Sequence, residues 1–195
     1  MTSHRKFMIH QSPPIIDVEA SGFGRGSYPI EIGVVLAAAE THCFLIHPAE
    51  HWTHWDSNAE SVHHISRDIL LRHGKPVESV ARRLNELLAG ATIFSDAWGH
   101  DQSWVALLFE QAGLPQLFRI EALRGLLSDT EAAYWHSARA VVQSRLGATR
   151  HRASADAVVI QKTFDFCRQA ATEGSLEGAT EKTFPAGVER VGRNA

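Results

Sequence analysis

The chain has 195 residues, 44% of them hydrophobic, and a formal net charge of −3. That length suits one domain with a substantial core. The slight acidity argues against a long sequence-independent grip on nucleic acid, and no stretch approaches the roughly 18 apolar residues of a membrane span.

The first residues, MTSHRKFMIHQSPP, are polar, and 1–12 are expected to be flexible. They carry no apolar segment of the kind a signal peptide needs. With only two distant cysteines, Cys43 and Cys167, a cytoplasmic location is expected. PIIDVEA reads as the first strand, 29–39 (PIEIGVVLAAA) as the second and THCFLIHP (41–48) as the third. The short gap between the last two predicts an antiparallel hairpin. SGFGRGS is glycine-rich turn material. Residues 49–65 are rich in His and Trp and follow no clean period.

SRDILLRHG (66–74) predicts a short helix with Ser66 as N-cap, and KPVESVARRLNELLAG a second, its Val77, Val80, Ala81, Leu84, Leu87 and Leu88 on one face. ATIFSDA (91–97) predicts a fourth strand and DQSWVALLFEQAG (101–113) a helix; QLFRIEAL holds a fifth short strand. Two further helices follow over 130–147 and 154–171. The last segment, 172–195, is poor in apolar residues and is expected to be a disordered tail, which leaves 13–171 as the folded domain. Three early strands followed by alternating helices and strands predict an α/β fold, a mixed sheet with helices packed on it.

The first strand poses a problem. Asp17 and Glu19 fall on one face, their Cα atoms ~6–7 Å apart, and two such charges disfavour each other unless a cation lies between them. Asp101 reads either as an N-cap or as an acid leading the face Trp104, Val105, Leu108; Asp96 is its rival. Asp156 opens a helix on the face of Val159, Ile160 and Thr163, where the helix dipole favours a negative charge. Four carboxylates aimed at one interior suggest hard divalent cations. His151 lies about 500° around a helix from Asp156, so it belongs in the loop before that helix, as a surface residue or as a proton acceptor beside the acids.

In order, these segments resemble the DEDDh 3′–5′ exonucleases, the DnaQ-like group that includes proofreading subunits and RNase T. The likeness rests on Asp17-Val18-Glu19 as D-x-E, on Asp101 in SDAWGHDQSWVALL, on HRASAD (151–156) as H-x₄-D, and on YPIEIGVV as the second strand. SVHHIS (61–66) resembles a His-Gly-Ile segment that borders the substrate groove, with His64 in place of the Gly. The resemblance implies an RNase H-like sheet of five strands, three antiparallel and then parallel ones. It also implies two Mg²⁺ or Mn²⁺ ions held by Asp17, Glu19, Asp101 and Asp156, with His151 as general base. Ala20, His63 and Ile65 would border the substrate, the 3′ end of single-stranded DNA or RNA, released as nucleoside 5′-monophosphates. A homodimer or a polymerase partner is compatible with it, and no membrane is implied. An inactive domain that only binds nucleic acid or a partner is the alternative. Zinc binding by His47, His51 and His54 fits no usual ligand spacing. Trp52 and Trp55 suit either base stacking or the core.

Overall fold

The computed structural model describes residues 12–147 and 151–174. The expectations for 1–11 and 175–195 fall outside these residues. β1 (Ile15–Ala20), β2 (Pro29–Val35) and β3 (Thr41–Leu45) follow one another antiparallel, as the short gaps predict. Next come α1 (Ser57–His63), α2 (Arg67–His73) and α3 (Val77–Leu88). β4 (Thr92–Ser95), α4 (Trp98–Ala112) and β5 (Arg119–Ala122) complete a sheet of order β3-β2-β1-β4-β5, with β1, β4 and β5 parallel. A 3-10 turn over Leu123–Leu126 leads to α5 (Asp129–Ala133), α6 (Trp135–Leu146) and α7 (Ala153–Glu173).

The alternation of β1 divides the core. Ile16 and Val18 join Ile30 and Ile32 beneath the faces of α3 and α4, whereas Ile15 and Val35 pack against α6 and α7. Of the α3 face read from the sequence, Val77, Val80, Ala81, Leu84 and Leu88 are buried and Leu87 is half-buried. Burying each large aliphatic side chain contributes about 1.5–3 kcal/mol, and that gain holds the two helical layers on the sheet.

Several boundaries differ from the sequence reading, and β2 and β3 stop at Val35 and Leu45, short of the 39 and 48 read for them. α1 lies inside the stretch without a clear period: it buries only Ala59 and His63, and is started by Asp56, whose side chain accepts from the Asn58 amide at 2.8 Å. α4 begins at Trp98, so Asp101 sits inside its first turn and is not the N-cap; Ser95 Oγ takes the Ala97 N–H there at 2.9 Å. The single helix expected over 130–147 is two, because the Tyr134 N–H bonds back to Glu131 in a tighter turn, 3.1 Å. α7 starts one residue before Ser154, with Arg152 as N-cap, and runs to Glu173. Among the described residues no helix is long and apolar enough to cross a membrane.

β1 and β4 pair at Ile15↔Phe94. The end of β1 that carries Asp17 and Glu19 therefore has β2 on one side and no strand paired on the other. Ligands favour such openings, at the carboxyl ends of parallel strands where the connection reverses.

Candidate active site

β1 sends Asp17 and Glu19 to the α7 side of the sheet, opposite Gly33 and Glu31 of β2. α4 brings Asp101, 2% exposed, to the same opening from the end of β4, and Ser95 Oγ donates to its Oδ2 at 2.5 Å. α7 brings Asp156 in its first turn and His151 in the loop just before it. Ligand atoms of Glu19, His151 and Asp156 lie within 4.8 Å of one another. The His151 N–H donates to Asp156 Oδ2 at 3.0 Å, and His151 has a left-handed backbone, φ 62°. The five residues of the sequence motif are thus brought together.

The acids disturb one another. Burial holds the Asp17 carboxyl well above its ordinary range, and Asp101, Glu19, Asp156 and Asp96 push it further the same way. Burial and then Asp156 and Glu31 push Glu19 up to about 7, with Arg152 opposing. Asp101 also rises to about 7, mainly through burial and against the bond from Ser95. Of the neighbouring arginines, Arg139 is bound to Asp96 at 2.5 Å and Arg152 to Glu31 at 2.5 Å. A donor set of carboxylate oxygens with one imidazole, short of positive charge, suits hard divalent cations.

Asp96 and Asp101 have different partners. Asp96 is committed to Arg139 of α6, whereas Asp101 is buried against the other acids. His100, next to Asp101 in the chain, stacks on Trp104 with ring centroids 5.6 Å apart and meets Phe23 edge-on at 6.1 Å.

Three residues were expected along the substrate groove. Ala20 ends β1 and is buried, and Ile65 is buried after α1. His63 is 2% exposed; its Nδ1 accepts the Ile65 N–H at 3.0 Å, which leaves the proton on Nε2. That Nε2–H is buried without a hydrogen-bond partner among the described residues. His64 adopts φ 57° as the C-cap of α1, the left-handed conformation in which glycine carries no steric cost. Trp52 lies in the core, stacked on Tyr28 at 5.1 Å. Trp55 is half-buried, its indole N–H donating to Glu60 at 2.6 Å. His47 and His54 bond to Pro48 O and Ser21 Oγ, and the three loop histidines form no metal-binding group among the described residues.

Sequence reasoning missed Glu31 and Arg152. Glu31 is wholly buried in β2 and is held by both Nε and Nη2 of Arg152. The signal was a carboxylate in the apolar run PIEIGVV, the same kind of signal that made Asp17 and Glu19 conspicuous.

No protein-family model and no curated protein matches the sequence. Solved structures do match in fold. Escherichia coli exonuclease I in complex with a dA16 oligonucleotide matches with a TM-score of 0.59 at 13% identity, over 80% of this chain and 41% of that one. The zinc-ion-bound form of the E. coli exonuclease I–ssDNA complex matches at 0.59 and 13%, over 82% and 40%. Exonuclease I from the moderate thermophile Methylocaldum szegediense matches at 0.60 and 11%, over 80% and 40%. The chain spans about two fifths of the length of these exonuclease I chains. The fold is therefore the RNase H-like α/β fold that exonuclease I contains.

Proposed function

We propose that this chain is a metal-dependent 3′–5′ exonuclease of the DEDDh type, hydrolysing single-stranded DNA or RNA from its 3′ end. One observation carries the reading: Asp17, Glu19, Asp101 and Asp156, from one strand and two helices, converge with His151 at the open end of β1. The exonuclease I structures with bound oligonucleotides support it through the shared fold.

Asp17, Glu19, Asp101 and Asp156 would hold two divalent cations, Mg²⁺ or Mn²⁺. When bound, these supply charge that helps ionise the attacking water and stabilises the leaving 3′ oxygen. The four carboxylates must be ionised to serve, which burial and mutual repulsion oppose and bound cations would offset. His151, in its neutral form, accepts the proton of the attacking water through a ring nitrogen. The water oxygen bonds to phosphorus, the bond from phosphorus to the 3′ oxygen breaks, and the 3′ oxygen leaves with a proton from solvent. The product is a nucleoside 5′-monophosphate and a chain shorter by one. The buried Nε2–H of His63 is a donor suited to the terminal nucleotide, with Ala20 and Ile65 as apolar walls beside it. The exonuclease domain would run from residue 13 to the end of the last helix.

The test is digestion of 5′-labelled single-stranded DNA, RNA and short oligoribonucleotides in Mg²⁺ and in Mn²⁺, read as ladders. Stepwise shortening from the 3′ end that stops with excess EDTA is expected. Shortening unaffected by EDTA, or binding without cleavage of any substrate, overturns the reading.

A further inference from the structure

Glu31 is an anomaly in β2. It is fully buried, it stands opposite Glu19 in the strand register, and it adds a fifth carboxylate beside four that already repel one another. Its bonds converge on one short piece of chain. Arg152 reaches it with Nε at 3.0 and 3.1 Å and with Nη2 at 2.5 Å, and the Ala153 N–H donates to Oε2 at 2.8 Å. Cys43 Sγ completes the set at 3.3 Å. Gly33, on the same face of β2, lets α7 come down onto the strand: a Cβ there would lie 2.1 Å from the Ala153 carbonyl carbon.

Residues 152 and 153 are therefore fastened to β2 by a forked ion pair, an amide bond and direct backbone contact. The residue before them is His151. Its own N–H is held by Asp156, and its backbone takes the left-handed conformation, which a non-glycine residue keeps only when its surroundings enforce it. Stability alone is a poor reason for such a pair, because well-packed apolar residues replace a buried ion pair at little or no cost. A fork that fixes both the direction and the distance of its partner does account for it.

We propose that Glu31 is a positioning residue, acting through Arg152 and the Ala153 amide to hold the His151 ring toward Glu19 and Asp156. The proposal rests on the reading of His151 as the base, and the test separates the two.

Glu31→Gln keeps the shape of the side chain and an acceptor for the Ala153 amide, while Arg152, its side chain 46% exposed, can turn to water. The variant is compared in the wild-type and in the His151→Ala background, with folding followed by thermal unfolding. In the wild-type background kcat is expected to fall about 10- to 100-fold, the usual effect of a misplaced catalytic group, with KM unchanged. In the His151→Ala background no further loss is expected, because the group being positioned is gone. Equal losses in both backgrounds would mean that Glu31 acts on the carboxylates, and would overturn the proposal while leaving His151 as the base. If His151→Ala itself retains wild-type kcat, the base assignment fails and the positioning role fails with it. Should Glu31→Gln not fold, Arg152→Lys carries the same comparison: it keeps the charge opposite Glu31 but lacks the fork. A loss in wild type that vanishes with His151→Ala supports the proposal, and a loss common to both backgrounds, or none in either, overturns it.

Discussion

Asp17, Asp101 and Asp156 lie within one field, while Asp96, although near enough to add to it, is paired with Arg139. In the proposed function each of the three is a metal ligand, and substitution by Asn removes that charge while keeping the shape. Asp17→Asn, Asp101→Asn and Asp156→Asn are each expected to abolish most 3′–5′ digestion, and Asp96→Asn to lower it only mildly. Initial rates on labelled single-stranded DNA check this; a crippled Asp96→Asn beside an active Asp101→Asn would exchange their roles. His151, as the proposed base, makes a different prediction, because a base acts in the transition state. His151→Ala is expected to lower kcat by about 10²–10⁴, the usual worth of a positioned base, with little change in KM or in the cation concentration needed. A variant that retains near wild-type kcat would place the base elsewhere.

At the level of single elements, the end of α1 and the seat of α7 impose opposite demands on the backbone. His64 closes α1 at φ 57° and is exposed, so its side chain offsets little of the left-handed cost. His64→Gly is expected to raise stability by about 1 kcal/mol, the cost of that conformation for a residue with a Cβ, seen as a higher melting temperature. Gly33 is the converse. Its φ is ordinary, but a Cβ would meet the carbonyl carbon of Ala153 at 2.1 Å and the Ser154 nitrogen at 2.2 Å, backbone atoms that cannot turn aside. Gly33→Ala must therefore lift the start of α7, and with it His151 and Asp156. It is expected to destabilise by about 1–3 kcal/mol, the usual cost of overpacking, and to lose more activity than that destabilisation explains. Unchanged melting and turnover would show that α7 does not depend on this contact.

The whole molecule carries the charge strain of the site as a dependence of stability on pH. Glu19 titrates near 7 against an ordinary 4.5, and Asp101 near 7 against 3.8; Asp17 is displaced in the same direction. Between the unfolded and folded values the native protein holds more protons than the unfolded chain, so stability falls as pH rises. The contribution of these groups is complete below about pH 4 and is lost by the time pH has passed about 7. Thermal unfolding in EDTA from about pH 5 to about pH 8 is expected to show a falling melting temperature. Mn²⁺ should raise it most at the alkaline end, because cations bind the ionised acids and so favour the folded state. Asp101→Asn should flatten the fall. A metal-free melting temperature that climbs with pH over this range would contradict the account.

Much of this protein was legible in one dimension. Side-chain direction repeats every second residue in a strand, so Asp17 and Glu19 had to share a face, and the runs PIEIGVV and THCFL announced the hairpin. The helical period likewise put Trp104, Val105 and Leu108 beneath Asp101, and Val159, Ile160 and Thr163 beneath Asp156, and all six are buried. Periodicity placed the acids on inward faces, and the resemblance to the DEDDh exonucleases, not the period, named the five candidate residues together and added His151. What the period does not contain is the identity of partners from other elements. Asp96 is paired because Arg139, 43 residues further on, takes its carboxylate. Glu31 tolerates burial because Arg152, 121 residues away, closes on it. α1 forms from a segment without a clear period because a local cap and two buried side chains suffice for so short a helix. Local periodicity determines which way a side chain points, but whether it meets a cation, another carboxylate or water depends on how the helices settle on the sheet, and that was decided by the tertiary structure alone.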